Sequence, residues 1–268
     1  MVDARTFADM RLSDSLLCVL WLLCLESTAQ SPVASKPAGQ LNLRFAKLVS
    51  IKVKGGPEAK LIEAKPGKWE GNLIIYLHGN SGLNQMTASR VEELARRSGA
   101  AVICPDLLTQ RGNSDSQAGD TLRMLEIVRS CVEYGGKSCR VQVLAWGEPG
   151  CSLVLKAAAV APERFYGAVL VDGLPAADTV LMPQLEGPLL LIRNKVTSSL
   201  RGLSRDAFSL QMSKSGKVFK VSEFSPAGRT VAASSVLTEI DEASWQDVLG
   251  FLKQNFQEPM RRNILEKP

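Results

Sequence analysis

Asn72-Leu73-Ile74-Ile75-Tyr76-Leu77-His78-Gly79-Asn80-Ser81-Gly82 is the stretch whose reading decides the fold. Its unbroken apolar run, Leu73 to Leu77, reads as a strand buried on both faces, as central strands of parallel sheets are. The loop behind it carries two glycines, residues that allow tight turns and close backbone approach. A second strand, Arg140 to Ala145, runs into Trp146-Gly147-Glu148-Pro149-Gly150 and then into an apolar, alanine-rich helix, Cys151 to Val160.

Outward from these two segments, strand and helix patterns alternate. Lys47 to Val53 and Ala59 to Ala64 read as two antiparallel strands joined through Gly55-Gly56-Pro57. Thr87 to Arg97 is an amphipathic helix stopped by Ser98-Gly99. Ala100 to Cys104 is a strand ended by Pro105-Asp106, and Thr121 to Tyr134 a helix stopped by Gly135-Gly136. Strands follow at Tyr166 to Val171 and Pro188 to Ile192, a helix at Ser199 to Ser213 and a strand at Lys217 to Phe224. Ser244 to Asn255 closes the domain as a helix, with Val248, Leu249 and Leu252 on one face. This order predicts an α/β fold: a mainly parallel, doubly wound sheet with helices on both faces. Ligands of such sheets bind beyond the carboxyl ends of the strands. The loops at those ends begin at His78, Pro105, Trp146, Asp172 and Arg193.

The chain has 268 residues, enough for one large domain. At 45% hydrophobic and 22% charged, it has the composition of a soluble globular protein with a substantial core. The net charge of +5 is modest, and acids alternate with bases along most of the chain, which argues against a nucleic-acid partner. Residues 1–29 differ from the rest. Leu16 to Leu25 is apolar but too short to span a bilayer, and Ser27-Thr28-Ala29 resembles a signal-peptidase site. The reading is a cleaved signal peptide over 1–29, a linker over 30–46, the domain over 47–257 and a tail over 258–268. Met10-Arg11 offers a better signal start than Met1, and an uncleaved anchor or a buried helix is the competing reading of the apolar run. Export would make the protein secreted or periplasmic, raise its net charge from +5 to +7 and leave no membrane span.

Four cysteines remain after residue 29. Cys131 and Cys139 flank a helix end and turn, a spacing that could close a small disulfide loop or simply bury two thiols. No metal-binding cysteine spacing occurs, and the sequence calls for no metal or cofactor. No Asn-x-Ser/Thr acceptor site is present.

Over residues 47–257 the order of elements resembles the α/β-hydrolase superfamily. His78-Gly79-Asn80-Ser81-Gly82 resembles the H-G-x-x-G loop that helps build the family's oxyanion hole. Asp106 and Arg111-Gly112-Asn113-Ser114-Asp115 resemble the loop after the next strand. Trp146-Gly147-Glu148-Pro149-Gly150 aligns with the G-x-S-x-G elbow, a sharp strand-to-helix turn that exposes its central residue. The short stretch Gly173 to Gly187 implies a fold without a large lid domain.

On that alignment all three triad positions are altered. Glu148 stands at the nucleophile, Val196 at the acid and Arg229 at the base, with Asp172 at a place some members use for the acid. An arginine stays protonated and cannot serve as a base. The resemblance therefore implies a non-catalytic member, with Glu148 and Arg229 facing each other as a carboxylate–guanidinium pair. The cleft would be lined by His78, Gly79, Asn80, Ser81, Gly82, Trp146, Gly147 and Pro149, and would bind a small molecule or a protein partner. The alternative is an esterase-like hydrolase with a non-standard constellation, for which Ser81 and Ser152 are displaced-nucleophile candidates and Cys104 and Cys151 candidate reactive thiols. His78, the single histidine, is expected to order its loop by hydrogen bonding rather than to catalyse. Asp106 is expected to cap loop amides, and Trp146 to serve either as a ligand platform or as core filler.

Overall fold

Apolar runs buried on both faces belong at the middle of a sheet, and Asn72–Leu77 (β3) and Arg140–Trp146 (β5) lie there side by side, parallel and in register from Asn72 opposite Arg140 to Leu77 opposite Ala145. The structure, a computed structural model, describes residues 41–79, 82–108, 117–136, 139–147, 150–160, 165–172, 181–182, 185, 187–194, 218–224 and 242–257. The other strands are Lys47–Ile51 (β1), Ala59–Ala64 (β2), Ala101–Pro105 (β4), Ala168–Val171 (β6), Leu189–Asn194 (β7) and Phe219–Phe224 (β8). They form one eight-stranded sheet in the order β1-β2-β4-β3-β5-β6-β7-β8. β2 is antiparallel to both β1 and β4, and every other pairing is parallel. The carboxyl ends of β3 to β8 therefore share one edge.

Four helices cover the sheet among the described residues: Gln85–Ser98 (α1), Gln117–Gly135 (α2), Gly150–Val160 (α3) and Glu242–Gln257 (α4). The two-residue period of the strands sorts their side chains into two cores. Leu73, Ile75, Val143 and Leu170 face α2 and α3. Ile74, Tyr76, Leu144, Trp146 and Val169 face α1 and α4. Asn84 caps α1 by accepting from the Thr87 N–H (2.9 Å), and Gly99 ends the helix in the left-handed conformation at φ 72°. Residues 172–188 alone join β6 to β7, and no large lid is present. No described helix is long and apolar enough to cross a membrane. The helix expected over Ser199 to Ser213 lies outside the described residues, as do residues 1–29 and 258–268.

Two findings differ from the sequence reading. The expected Cys131–Cys139 bridge is absent: both thiols are free and buried. The physical reason is that α2 runs on to Gly135, so Cys131 sits inside the helix and packs into the core, while the Cys139 thiol, beyond the turn, bonds back to the Gly135 carbonyl. Residues 41–46, read as part of a linker, are fastened along α1. Gln85 clasps Asn42 with paired amide bonds of 2.8 and 2.9 Å. The Glu92 carboxylate accepts the N–H groups of Arg44, Phe45 and Ala46 at 2.7, 3.0 and 3.0 Å. Leu41, Leu43 and Ala46 pack against the core beneath.

Candidate functional site

The carboxyl edge of the sheet is built from backbone constraints first. β5 ends at Trp146, and Gly147 turns the chain in the left-handed conformation at φ 70°. Its N–H donates to Val171 O (2.8 Å), and its carbonyl accepts from Cys151 N–H (3.0 Å), starting α3. A Cβ on Gly150 would lie 2.8 Å from Leu77 O and 3.0 Å from His78 O, so the new helix sits directly against the end of β3. The chain thus passes from strand to helix between Trp146 and Gly150. Gly150→Ala should help the helix intrinsically by about 1 kcal/mol. The clash with two fixed backbone oxygens should outweigh that gain and leave the fold destabilised by about 1–3 kcal/mol, read as a lowered urea midpoint. An unchanged or raised midpoint would show that the turn can move aside.

The loop after β3 is held by its histidine. His78 is 1% exposed, and both ring nitrogens are occupied. Leu107 N–H donates to Nε2 at 3.1 Å, so Nε2 carries no proton. Nδ1 must then carry it, and donates to Gly79 O at 2.7 Å. Gly79 O also accepts from Gly82 N–H (3.3 Å). His78 thereby ties the β3 loop to the β4 loop, and Asp106 turns the latter by accepting from Leu108 N–H at 3.2 Å. Burial, the largest influence, holds the His78 pKa below its ordinary value despite its bond to Gly79 O and the nearby Asp106 carboxylate.

The unfolded chain therefore binds this proton more readily than the folded one. His78's contribution to stability is complete above its ordinary pKa of about 6.5 and is lost as pH falls below it. Wild type should lose urea resistance between pH 7.5 and 5 by more than His78→Leu does. The variant itself should lose about 1–3 kcal/mol at pH 7.5, because it strands the buried Leu107 N–H. Equal pH slopes in the two proteins would remove His78 as the source.

Asp172 ends β6 with φ 41°, a left-handed conformation that aspartate tolerates better than most residues. Its N–H donates to Ile192 O at 3.0 Å, and the ladder sets it beside Gly147. Buried Arg193 follows on β7, 3.9 Å from Glu223 of β8. Trp146 proves to be core. It is buried between the Arg90 guanidinium (4.2 Å from its ring centre) and the edge of Trp245 (6.3 Å, 81°) on the α1–α4 side of the sheet.

Cys104 and Cys151 are fully buried. Burial raises the Cys104 pKa well above the ordinary range, as expected of an inert thiol. The Cys151 thiol lies 3.7 Å from Ala145 O and Val171 O. Ser152 lies half-buried in α3. No trio of histidine, cysteine or acidic residues is grouped as a metal site among the described residues.

No protein-family model and no curated protein matches this sequence. Solved structures do. An esterase of Pyrococcus furiosus is similar with TM-score 0.61 and 11% identity, over 85% of this chain and 100% of that one. A dienelactone hydrolase of Anabaena variabilis is similar with TM-score 0.58 and 17% identity, over 80% and 98%. Est1E of Butyrivibrio proteoclasticus is similar with TM-score 0.57 and 15% identity, over 79% and 99%. The chain has the α/β-hydrolase fold.

Within this fold the structure brings His78, Gly79, Gly147 and Asp172 to one edge of the sheet. A Cβ on Gly147 would lie 3.7 Å from Gly79 Cα, so the two loops touch. Trp146 leaves the expected cleft lining for the core. Asn80, Ser81, Glu148, Pro149, Val196, Arg229 and the loop Arg111 to Asp115 lie outside the described residues, as does the expected Glu148–Arg229 contact.

One functional consequence was missed in reading the sequence, although its signal is there. An α/β-hydrolase elbow takes one oxyanion-hole donor from the N–H of the residue after the nucleophile. On the alignment that sets Glu148 at the nucleophile position, that residue would be Pro149, which has no N–H. The first turn of a helix leaves its N–H groups without intrahelical partners, so a proline at a helix start can delete such a donor at little cost to the helix.

Proposed function

We propose that this chain is a non-catalytic member of the α/β-hydrolase fold that binds a small molecule or a partner protein in the cleft above the elbow. The observation that carries the reading is the single histidine. It is buried and neutral, and both ring nitrogens are committed to loop backbone, so no histidine is left to take a proton from a nucleophile. Pro149 supports the same reading, since the oxyanion of an acyl-transfer intermediate would lack its main backbone donor. We propose that Glu148 and Arg229 fill the nucleophile and base positions as a bidentate pair, and that the protein is exported after removal of residues 1–29.

The dienelactone hydrolase and esterase names of the structural neighbours define the activity to test. Purified protein is expected neither to turn over short-chain nitrophenyl esters nor to react with a fluorophosphonate probe. Turnover that follows the protein through purification would establish the rival reading, a hydrolase with a non-standard constellation. Amino-terminal sequencing of exported protein should begin near Gln30; a start at Met1 or Met10 would remove the signal-peptide reading.

A further inference from the structure

The strap over residues 41–46 and the β1–β2 hairpin that follows it join two features that the cleft does not use. The first is exposed apolar surface. Phe45, Leu48 and Met86 are 48%, 52% and 47% exposed. Phe45 belongs to the strap, Leu48 to β1, and Met86 to the first turn of α1, next to the Gln85 that clasps Asn42. The second is charge. Residues 41–64 contain five basic residues, Arg44, Lys47, Lys52, Lys54 and Lys60, against two acidic ones. All five bases are exposed, as is Glu58, while Glu63 is buried and paired with Lys47 at 2.7 Å. The register sets Ser50 opposite Lys60, so Leu48, Ser50 and Lys60 stand on one face of the hairpin.

We propose that this strap and hairpin form a docking surface for an anionic lipid bilayer. Bases interleaved with exposed apolar side chains suit a headgroup–hydrocarbon boundary, where the charges meet lipid phosphates and the apolar groups enter the acyl region. Over residues 41–64 the bases outnumber the acids by five to two, a charge complementary to anionic headgroups. The clasp by Gln85 and Glu92 fixes the strap so that Phe45 is presented rather than folded away. The proposal does not depend on whether the elbow catalyses.

The exported form, beginning at Gln30, is mixed with phosphatidylcholine vesicles with and without about one-third phosphatidylserine, and binding is read by co-sedimentation. Binding should be stronger to the anionic vesicles and should weaken as salt is raised from low to physiological strength. With about fivefold affinity carried by each basic residue at an anionic surface, Lys52→Glu with Lys60→Glu should weaken binding by at least about 25-fold. Phe45→Ser with Leu48→Ser should also weaken it without changing its salt dependence. Equal binding to both vesicle types, or binding that ignores the charge reversals, overturns the proposal. So does a dimer in sedimentation velocity that Phe45→Ser with Leu48→Ser dissolves while vesicle binding persists, since the surface would then serve a second copy. If a variant fails to fold, the lipid and salt dependence of the wild type still decides.

Discussion

A chain carrying Glu148→Ser, Val196→Asp and Arg229→His should remain almost inactive towards nitrophenyl esters, and adding Pro149→Ala should raise its kcat/KM by about 10²- to 10³-fold. On the proposed alignment, the three substitutions return a nucleophile, an acid and a base to the triad positions. They leave the tetrahedral intermediate without the N–H that follows the nucleophile, because residue 149 is still proline. A single oxyanion-hole donor is worth about 2.7–4 kcal/mol in the transition state, which is the source of the expected factor. Helix α3 should tolerate the exchange, since its described residues begin at Gly150 and alanine is the best helix former. Glu148→Ser alone should do nothing, because His78 cannot leave its two loop bonds to act as a base. Matching kcat/KM in the triple and quadruple variants would show that the missing N–H does not limit the chemistry.

Trp245→Ala should cost about 3–5 kcal/mol of folding stability, more than either Gly150→Ala or His78→Leu. Trp245 is 1% exposed on α4 and meets the Trp146 ring edge-on at 6.3 Å. Arg90 of α1 lies over the Trp146 ring and reaches the Tyr76 hydroxyl at 3.4 Å. The aromatic pair thus joins α1, α4 and the end of β5 beneath the elbow. Truncation leaves a cavity between two helices that are each anchored to the sheet and cannot collapse into it. For a domain of this size, with about 2–4 °C lost per kcal/mol, Tm should fall by on the order of 10 °C. A fall of under about 2 °C would place the weight of α4 elsewhere, on Val248, Leu252 and the Gln142 bond to Leu252 O (2.8 Å).

The rows of apolar residues in β3 and β5 and the glycines at 79, 82, 147 and 150 made the sheet and its loops legible, because periodicity and left-handed turns are local properties. Strand ends shifted by one or two residues at β1, β6 and β8, where ladder partners rather than side-chain patterns decide the last pair. Trp146 could not be assigned from the sequence. Its neighbours Arg90 and Trp245 are far away along the chain, and only the packing of α1 and α4 on one face brings them to it. Cys131 and Cys139 looked like a loop-closing pair because spacing ignores direction; the continued turn of α2 sends their thiols to different partners. Residues 41–46 looked like linker because they lack a period of their own, and their order comes from Gln85 and Glu92, both on α1.

By itself the sequence determined the α/β architecture, the single histidine and the proline at position 149. Each of these is fixed by covalent identity or local pattern. Only the tertiary structure decided that His78 is spent on the Leu107 N–H and the Gly79 carbonyl, that Gly150 lies against the carbonyls of Leu77 and His78, and that Asp172 stands beside Gly147. These facts depend on which backbone groups of distant segments must satisfy one another once water is excluded, and no local pattern encodes that choice.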